Sequence, residues 1–229
     1  MCGRFTLRTP AADIERAFDV TVPEVESRYN IAPTQPVMGV RQKPDGKRRE
    51  VVALRWGLVP SWADDVKIGS RMINARAETV ARKPAFRKAF ARRRCLIVAD
   101  GFYEWQETEG KKQPYYIHKK GDGPYAFAGL WEHWERDRQA VDSCTIVVTE
   151  ANELLAPIHD RMPVIVPPDD YEDWLDPASD QKRLEAILQP FPSELLDVYP
   201  VNRFVNNPKN DSMKCVERTD GAEGASGRI

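Results

Sequence analysis

An α+β fold is predicted for these 229 residues: a single domain with a curved, barrel-like, mostly antiparallel β core flanked by short helices. Three observations lead there. Short runs of β-branched and aromatic residues, separated by turn formers, recur through the middle of the chain. The helical patterns are brief and lie before or after those runs. No regular strand–helix–strand alternation is present, which argues against a doubly wound parallel sheet.

Thr9 to Phe18 reads as a helix with Thr9 as its cap, Pro10 at the first helical position and Asp13 in the first turn. Tyr29 to Pro36 is loop-like, and Val37–Val40 with Glu50–Trp56 read as strands around a turn at Asp45-Gly46. Gly57 to Ser70 holds too many breakers for a regular element, so Trp62 is expected on a loop with little local reason to be buried. Pro84 opens a helix in which Phe86 and Phe90 share an apolar face and the cations point outward. Cys95–Ala99 and Phe102–Trp105 flank a turn at Asp100-Gly101, and Tyr115–His118, Tyr125–Ala128 and Ser143–Thr149 continue the strand pattern. After Met162–Val166, Pro167-Pro168 leads into two amphipathic helices near 169–175 and 180–188, then an extended piece at 197–201. The domain is assigned to residues 2–218. Residues 219–229, with Gly and Ser but few apolar anchors, are expected to be a disordered tail.

Composition narrows the class. No apolar run is long enough to span a bilayer, and the first residues lack the basic-then-apolar layout of a secretion signal. Cys2, Cys95, Cys144 and Cys215 are scattered, which suggests neither a disulfide framework nor a metal site. A cytoplasmic monomer without cofactor is expected. The net charge of −1 argues against a general polyanion binder, yet seven of the thirteen residues from Arg82 to Arg94 are cationic and acids gather from Asp169 to Asp176. Either these are solvated helix faces or the basic one follows a phosphate chain.

Four positions carry the chemistry. If Met1 is removed, Cys2 presents an amine and a thiol together, two nucleophiles active near neutral pH that can close a five-membered ring on one aldehyde carbon. A packed thiol is the plain alternative. Glu104 lies among aromatic residues just after a tight turn, where partial burial would raise its pKa into the range of a proton donor and acceptor; otherwise it is an outward strand acid. His159 interrupts the chain just ahead of an apolar strand and either projects into a cleft or sits on a surface loop, whereas His118 and His133 lie in charged stretches. Asn74 can orient a carbonyl or hydroxyl and Arg76 can grip a phosphate, or the two are a turn residue and a surface charge.

Together, the motifs MCGRF from Met1, YNIAP from Tyr29, RWGLVPSW from Arg55, NARAET from Asn74, DGFYEW from Asp100 and IHDRMP from Ile158 resemble, in order, those of the SOS response-associated peptidase (SRAP) family. The resemblance implies a barrel-like single domain acting on abasic sites in single-stranded DNA, associated with the nucleoid when bound. It implies Cys2 as crosslinking nucleophile through a thiazolidine, Asn74, Glu104 and His159 as its catalytic companions, and Arg4, Asn30, Trp62, Arg76 and Arg161 as DNA contacts, joined by Arg82 on charge grounds. Lyase and self-processing peptidase activity are also implied. Two rivals stand beside it: an N-terminal-nucleophile glutamine amidotransferase, which shares the Met-Cys-Gly start, and a non-catalytic single-strand-binding module.

Overall fold

The computed structural model describes residues 2–219 apart from 44, 45, 47, 109 and 122. Its strands are β1 (Arg4–Leu7), β2 (Arg28–Ile31), β3 (Pro36–Gln42), β4 (Arg49–Trp56), β5 (Asn74–Arg76), β6 (Arg94–Ala99), β7 (Gly101–Thr108), β8 (Lys111–Lys119), β9 (Tyr125–Arg136), β10 (Gln139–Glu150), β11 (Arg161–Pro163), β12 (Ile165–Val166) and β13 (Leu196–Pro200). The α-helices are α1 (Ala11–Phe18), α2 (Ala77–Val80), α3 (Arg87–Arg92), α4 (Tyr171–Leu175) and α5 (Gln181–Ile187).

Strands β10-β4-β3-β6-β9 follow one another in a sheet, and β9 pairs back onto β10, so the sheet closes into a small barrel. Closure removes free edges that would otherwise template aggregation. The named pairings are antiparallel except those of β4 and β5 with β10. So tight a ring leaves little room inside: a Cβ on Gly39 would meet Leu54 Cδ1 at 2.7 Å, and one on Gly129 would meet Cys95 Sγ at 2.8 Å. A second sheet, β13-β8-β7-β1-β2, is antiparallel throughout. It packs on the barrel through Phe5 and Phe102, which meet Phe127 edge-on at 5.7 and 5.9 Å. The α+β, single-domain, barrel-like expectation is met.

The helices seal the outside of the barrel. Trp174 of α4 is fully buried, donates its indole N–H to the Cys95 carbonyl at 2.9 Å, and receives Phe90 of α3 edge-on at 6.2 Å. Several details differ from the sequence reading. Tyr29–Ile31, read as loop-like, belong to β2, and Val66–Arg71 form a 3₁₀-helix inside the stretch read as irregular. Pro10, not Thr9, is the N-cap of α1, because the Thr9 hydroxyl donates to Asp100 at 2.9 Å. The cations near α3 do not all point outward either. Arg94 is buried, and its guanidinium donates to the carbonyls of Trp174, Phe90 and Asp176, satisfying acceptors left open at two helix ends. Burial lowers its pKa to about 10, so it remains charged at neutral pH. Arg93 pairs with the buried Glu132 at 2.5 Å.

Strands β4 and β5 lie along one edge of β10, β4 at residues 143–144 and β5 at 146–148. The chain between them leaves the barrel as the loop from Gly57 to Ile73. Its neck needs glycine twice: Gly57 sits at φ +128°, and a Cβ there would meet the Gly69 carbonyl oxygen at 2.6 Å. The indole N–H of Trp134 donates to the Ala63 carbonyl at 2.8 Å and Val59 N–H donates to Ser143 Oγ at 2.8 Å, anchoring the loop from below. Trp62 is left 59% exposed. At the other end, Thr219 N–H donates to the Pro200 carbonyl at 3.0 Å, so this first residue of the expected tail is tied down; residues 220–229 lie outside the described residues.

Candidate active site

Strand β7 places the first side chain. It pairs with β1 so that Phe102 opposes Phe5 and Tyr103 opposes Arg4. Alternation along the strand sends Phe102 and Glu104 toward the barrel and Tyr103 and Trp105 to the opposite face. Glu104 is thus an acid on an apolar face, 2% exposed. Burial is the main reason its pKa is pushed up to about 7, and the negative charge of Asp160 adds to it.

Cys2, just ahead of β1, is fully buried, and its thiol donates to the Arg4 carbonyl at 3.9 Å. Burial first, and the neighbouring Glu104 carboxylate second, hold the thiol well above the ordinary range, so it is protonated at rest. Asn74 opens β5 opposite Ile146 of β10 and donates through Nδ2 to the Cys2 carbonyl at 2.8 Å. Its Oδ1 is buried with no hydrogen-bond partner among the described residues. The amide therefore fixes the chain end and keeps one acceptor in reserve.

His159 lies in the turn leading to β11. The Arg161 backbone N–H donates to its Nδ1 at 3.0 Å, which leaves Nε2 to carry the proton of the neutral ring. Burial lowers its pKa, keeping the ring neutral at pH 7. Asp160 Oδ1 stands 2.9 Å from the same Nδ1 and is the natural partner if the ring gains a second proton. Cys2, Asn74, Glu104 and the His159-Asp160 turn thus come together from β1, β5, β7 and the approach to β11. They are distant in sequence and coupled through charge or hydrogen bonds.

The cationic residues divide into two groups. Arg76 and Arg82 are exposed beside α2, and Glu78 between them pairs with Arg161 while its carbonyl accepts from Arg82 Nη2 at 3.0 Å. Arg76, Arg82 and Trp62 are open to an approaching polyanion, and Arg161 is half-buried beside them. Arg4 and Asn30, the other two residues expected as DNA contacts, are engaged within the protein. Arg4 opposes Tyr103, so it projects from the far face of the small sheet, over the Trp105 ring at 6.0 Å. Asn30 is fully buried; its Oδ1 accepts from Arg4 Nη1 at 3.0 Å, and its Nδ2 faces the carbonyls of Val205, Asn207 and Asn210 at 3.1, 3.1 and 2.7 Å. The pair clamps the returning C-terminal segment. Sequence reasoning missed Glu78 and Asp160, although both lie inside quoted motifs; each is a short step from a selected cation or histidine, and only the folded chain shows the charge pairing. Among the described residues, no group of three or more His, Cys, Asp or Glu is placed to hold a metal ion.

Fold and site together define a small closed barrel carrying a buried cysteine next to the chain's start. The chain belongs to the SOS response associated peptidase (SRAP) family, whose model matches residues 1–208. It is 44% identical over 224 residues to the abasic site processing protein YoqW of Bacillus subtilis (strain 168), covering 95% of this chain and 99% of that one. It is 31% identical over 228 residues to the abasic site processing protein YedK of Escherichia coli (strain K12), with 95% and 99% covered. Among solved structures, a protein from Bacteroides thetaiotaomicron shares the fold at a TM-score of 0.83 and 24% identity, over 95% of this chain and 100% of its own.

Proposed function

We propose that this chain processes abasic sites in single-stranded DNA by capturing the open sugar aldehyde on Cys2 after removal of Met1. One observation carries the reading: a buried carboxyl with a pKa near 7 adjoins an amino-terminal cysteine whose backbone is fixed by a side-chain amide. The names of the relatives point to the same substrate. The Cys2 amine attacks C1′ of the aldehyde, and the resulting carbinolamine loses water to give an imine. The thiol sulfur then adds to the imine carbon while its proton passes to nitrogen, closing a thiazolidine with net loss of one water. Each step moves a proton, and Glu104 titrates where it can both give and take one. Asn74 holds the nucleophile in place, and neutral His159 serves the sugar hydroxyls through Nε2–H. If the imine instead loses a C2′ proton and expels the 3′ phosphate, the same site acts as a lyase. Hydrolysis of the Met1–Cys2 bond would be the peptidase activity.

The test is a denaturing gel of the protein incubated with an abasic single strand. Wild type gives a retarded, heat-stable band and Cys2→Ala gives none. Intact mass then places the adduct on a chain lacking Met1, at the mass of protein plus DNA minus one water. A band retained in Cys2→Ala, or an adduct on a lysine, would overturn the reading.

A further inference from the structure

Beside Trp62 a cavity of about 170 Å³ opens between the tip of the excursion loop and the start of α3, lined by Pro60, Trp62, Ala85, Arg87, Lys88 and Glu132. This is well below the 300–1,000 Å³ of sites for drug-sized ligands and suits one planar ring. Its walls are chemically unlike one another. Trp62 offers an exposed indole face, Arg87 and Lys88 are exposed cations at the mouth, and Glu132 supplies a carboxylate that is 7% exposed.

Glu132 is held firmly. Its Oε2 accepts from Arg93 Nη2 at 2.5 Å and its Oε1 from the His133 backbone N–H at 3.2 Å. A carboxylate has about four acceptor positions, so two remain for a ligand. In both contacts its oxygens act as acceptors. A group entering this cavity must be flat enough to lie against indole, bring negative charge for the two cations, and point a hydrogen-bond donor at the carboxylate. A nucleotide whose base carries an exocyclic amino group meets all three requirements, cytosine through N4 above all. Thymine presents a carbonyl oxygen at the corresponding position and would face the carboxylate acceptor to acceptor.

The register fixes where this cavity lies. Asn74 opposes Ile146 on β10 and Glu132 opposes Ser143, three residues along the same strand, or about 10 Å. The odd separation puts Glu132 on the opposite face of the sheet from Asn74. A strand entering both places must bend over the rim of the barrel where Trp62 projects.

We infer that this cavity is a base-reading subsite for the DNA strand, taking an unpaired amino-bearing nucleobase a few nucleotides from the abasic sugar. It rests on the proposed DNA substrate but not on the Cys2 chemistry. The experiment therefore uses short oligonucleotides without an abasic site, oligo-dC, oligo-dA and oligo-dT, with affinity read by fluorescence anisotropy. Wild type is expected to bind oligo-dC roughly tenfold more tightly than oligo-dT, with oligo-dA between. Glu132→Gln, able to donate as well as accept, should bind all three alike. Because Glu132→Gln also disturbs Arg93, Ala85→Leu fills the cavity and leaves the ion pair intact; it should lower oligo-dC affinity to the oligo-dT value. Equal affinities in wild type, or a preference that survives in Ala85→Leu, would overturn the inference; a cavity that takes only phosphate gives the first of these results. Base preference without a crosslink on abasic DNA would sink the Cys2 reading alone, and a crosslink without base preference would sink this one alone.

Discussion

The buried cluster around Cys2 and the rim formed by exposed Arg76, Arg82 and Trp62 with the half-buried Arg161 serve one proposed reaction by opposite physics. In the cluster, water is excluded, so a single carboxyl is moved from 4.5 to about 7 and a thiol is held protonated. At the rim the charges stay hydrated, and their attraction to a polyanion works through counterion release and weakens with salt. The contrast teaches that proton transfer is localised in a few committed atoms, whereas strand binding is spread over replaceable ones. Variants in the two regions should therefore differ in kind as well as in size.

The largest effect is expected from Glu104→Gln. Loss of a positioned acid–base group should slow crosslink formation by about 10²–10⁴-fold. It should also abolish any inflection of rate near pH 7. Equilibrium binding to an oligonucleotide without an abasic site should not change. The same variant tests the origin of the raised pKa through stability. The folded chain holds a proton on Glu104 that the unfolded chain releases between pH 4.5 and 7. Stability from this group is complete below about pH 4.5 and is lost as the pH rises through 7, a decline of about 3 kcal/mol. Glu104→Gln should lack that decline in urea unfolding measured across the range. A crosslinking rate within a factor of a few of wild type would remove Glu104 from the reaction.

Next comes Asn30→Ala, which separates a clamp from a DNA contact. The change strips Arg4 of a 3.0 Å acceptor and removes one donor from each of the carbonyls of Val205, Asn207 and Asn210, which keep a second donor in Arg4 Nη1, the Asn210 N–H and the Cys215 thiol respectively. Each hydrogen bond lost costs about 0.5–1.5 kcal/mol, so a loss of about 3 kcal/mol in chemical denaturation is expected, with the salt dependence of DNA binding unchanged. A steeper or shallower salt dependence with stability intact would restore Asn30 to the DNA surface.

How much of this was legible beforehand follows the same division. Alternation placed Glu104 among Tyr103 and Trp105, but the residue type alone could not say whether it or its aromatic neighbours faced the barrel; the pairing of Phe102 with Phe5 decides that. Trp62 was readable as exposed because breakers such as Gly57 and Pro60 surround it, although the same stretch also holds a six-residue 3₁₀-helix at Val66–Arg71 that those breakers concealed. Arg94 was not readable. It ends a basic run most of which faces water, and only the meeting of α3 with α4 supplies the three carbonyls that draw it inside. The pairing of Arg4 with Asn30 was not readable either: being near Cys2 in sequence, or within a motif, does not fix the face of the sheet. Local chemistry can be read from residue types, but partnership between distant segments cannot.

The smallest effects belong to the rim, and there the sign carries the information. Replacing Arg76 and Arg82 together by Ala should weaken single-strand binding about tenfold and reduce the slope of log K against log salt by about 1.4, two phosphate contacts at about 0.7 each. Glu78→Gln should act in the other direction. Its carboxylate feels the charges of Arg76 and Arg161 and is paired with the latter, so it competes with the incoming phosphate for the same guanidinium. Neutralising it should tighten binding a few-fold and steepen the salt slope, while stability changes by under about 1 kcal/mol, as expected for a pair half open to solvent. If affinity falls instead, Glu78 is not a competitor but the residue that aims Arg161, and the rim would then be as dependent on fixed geometry as the buried cluster.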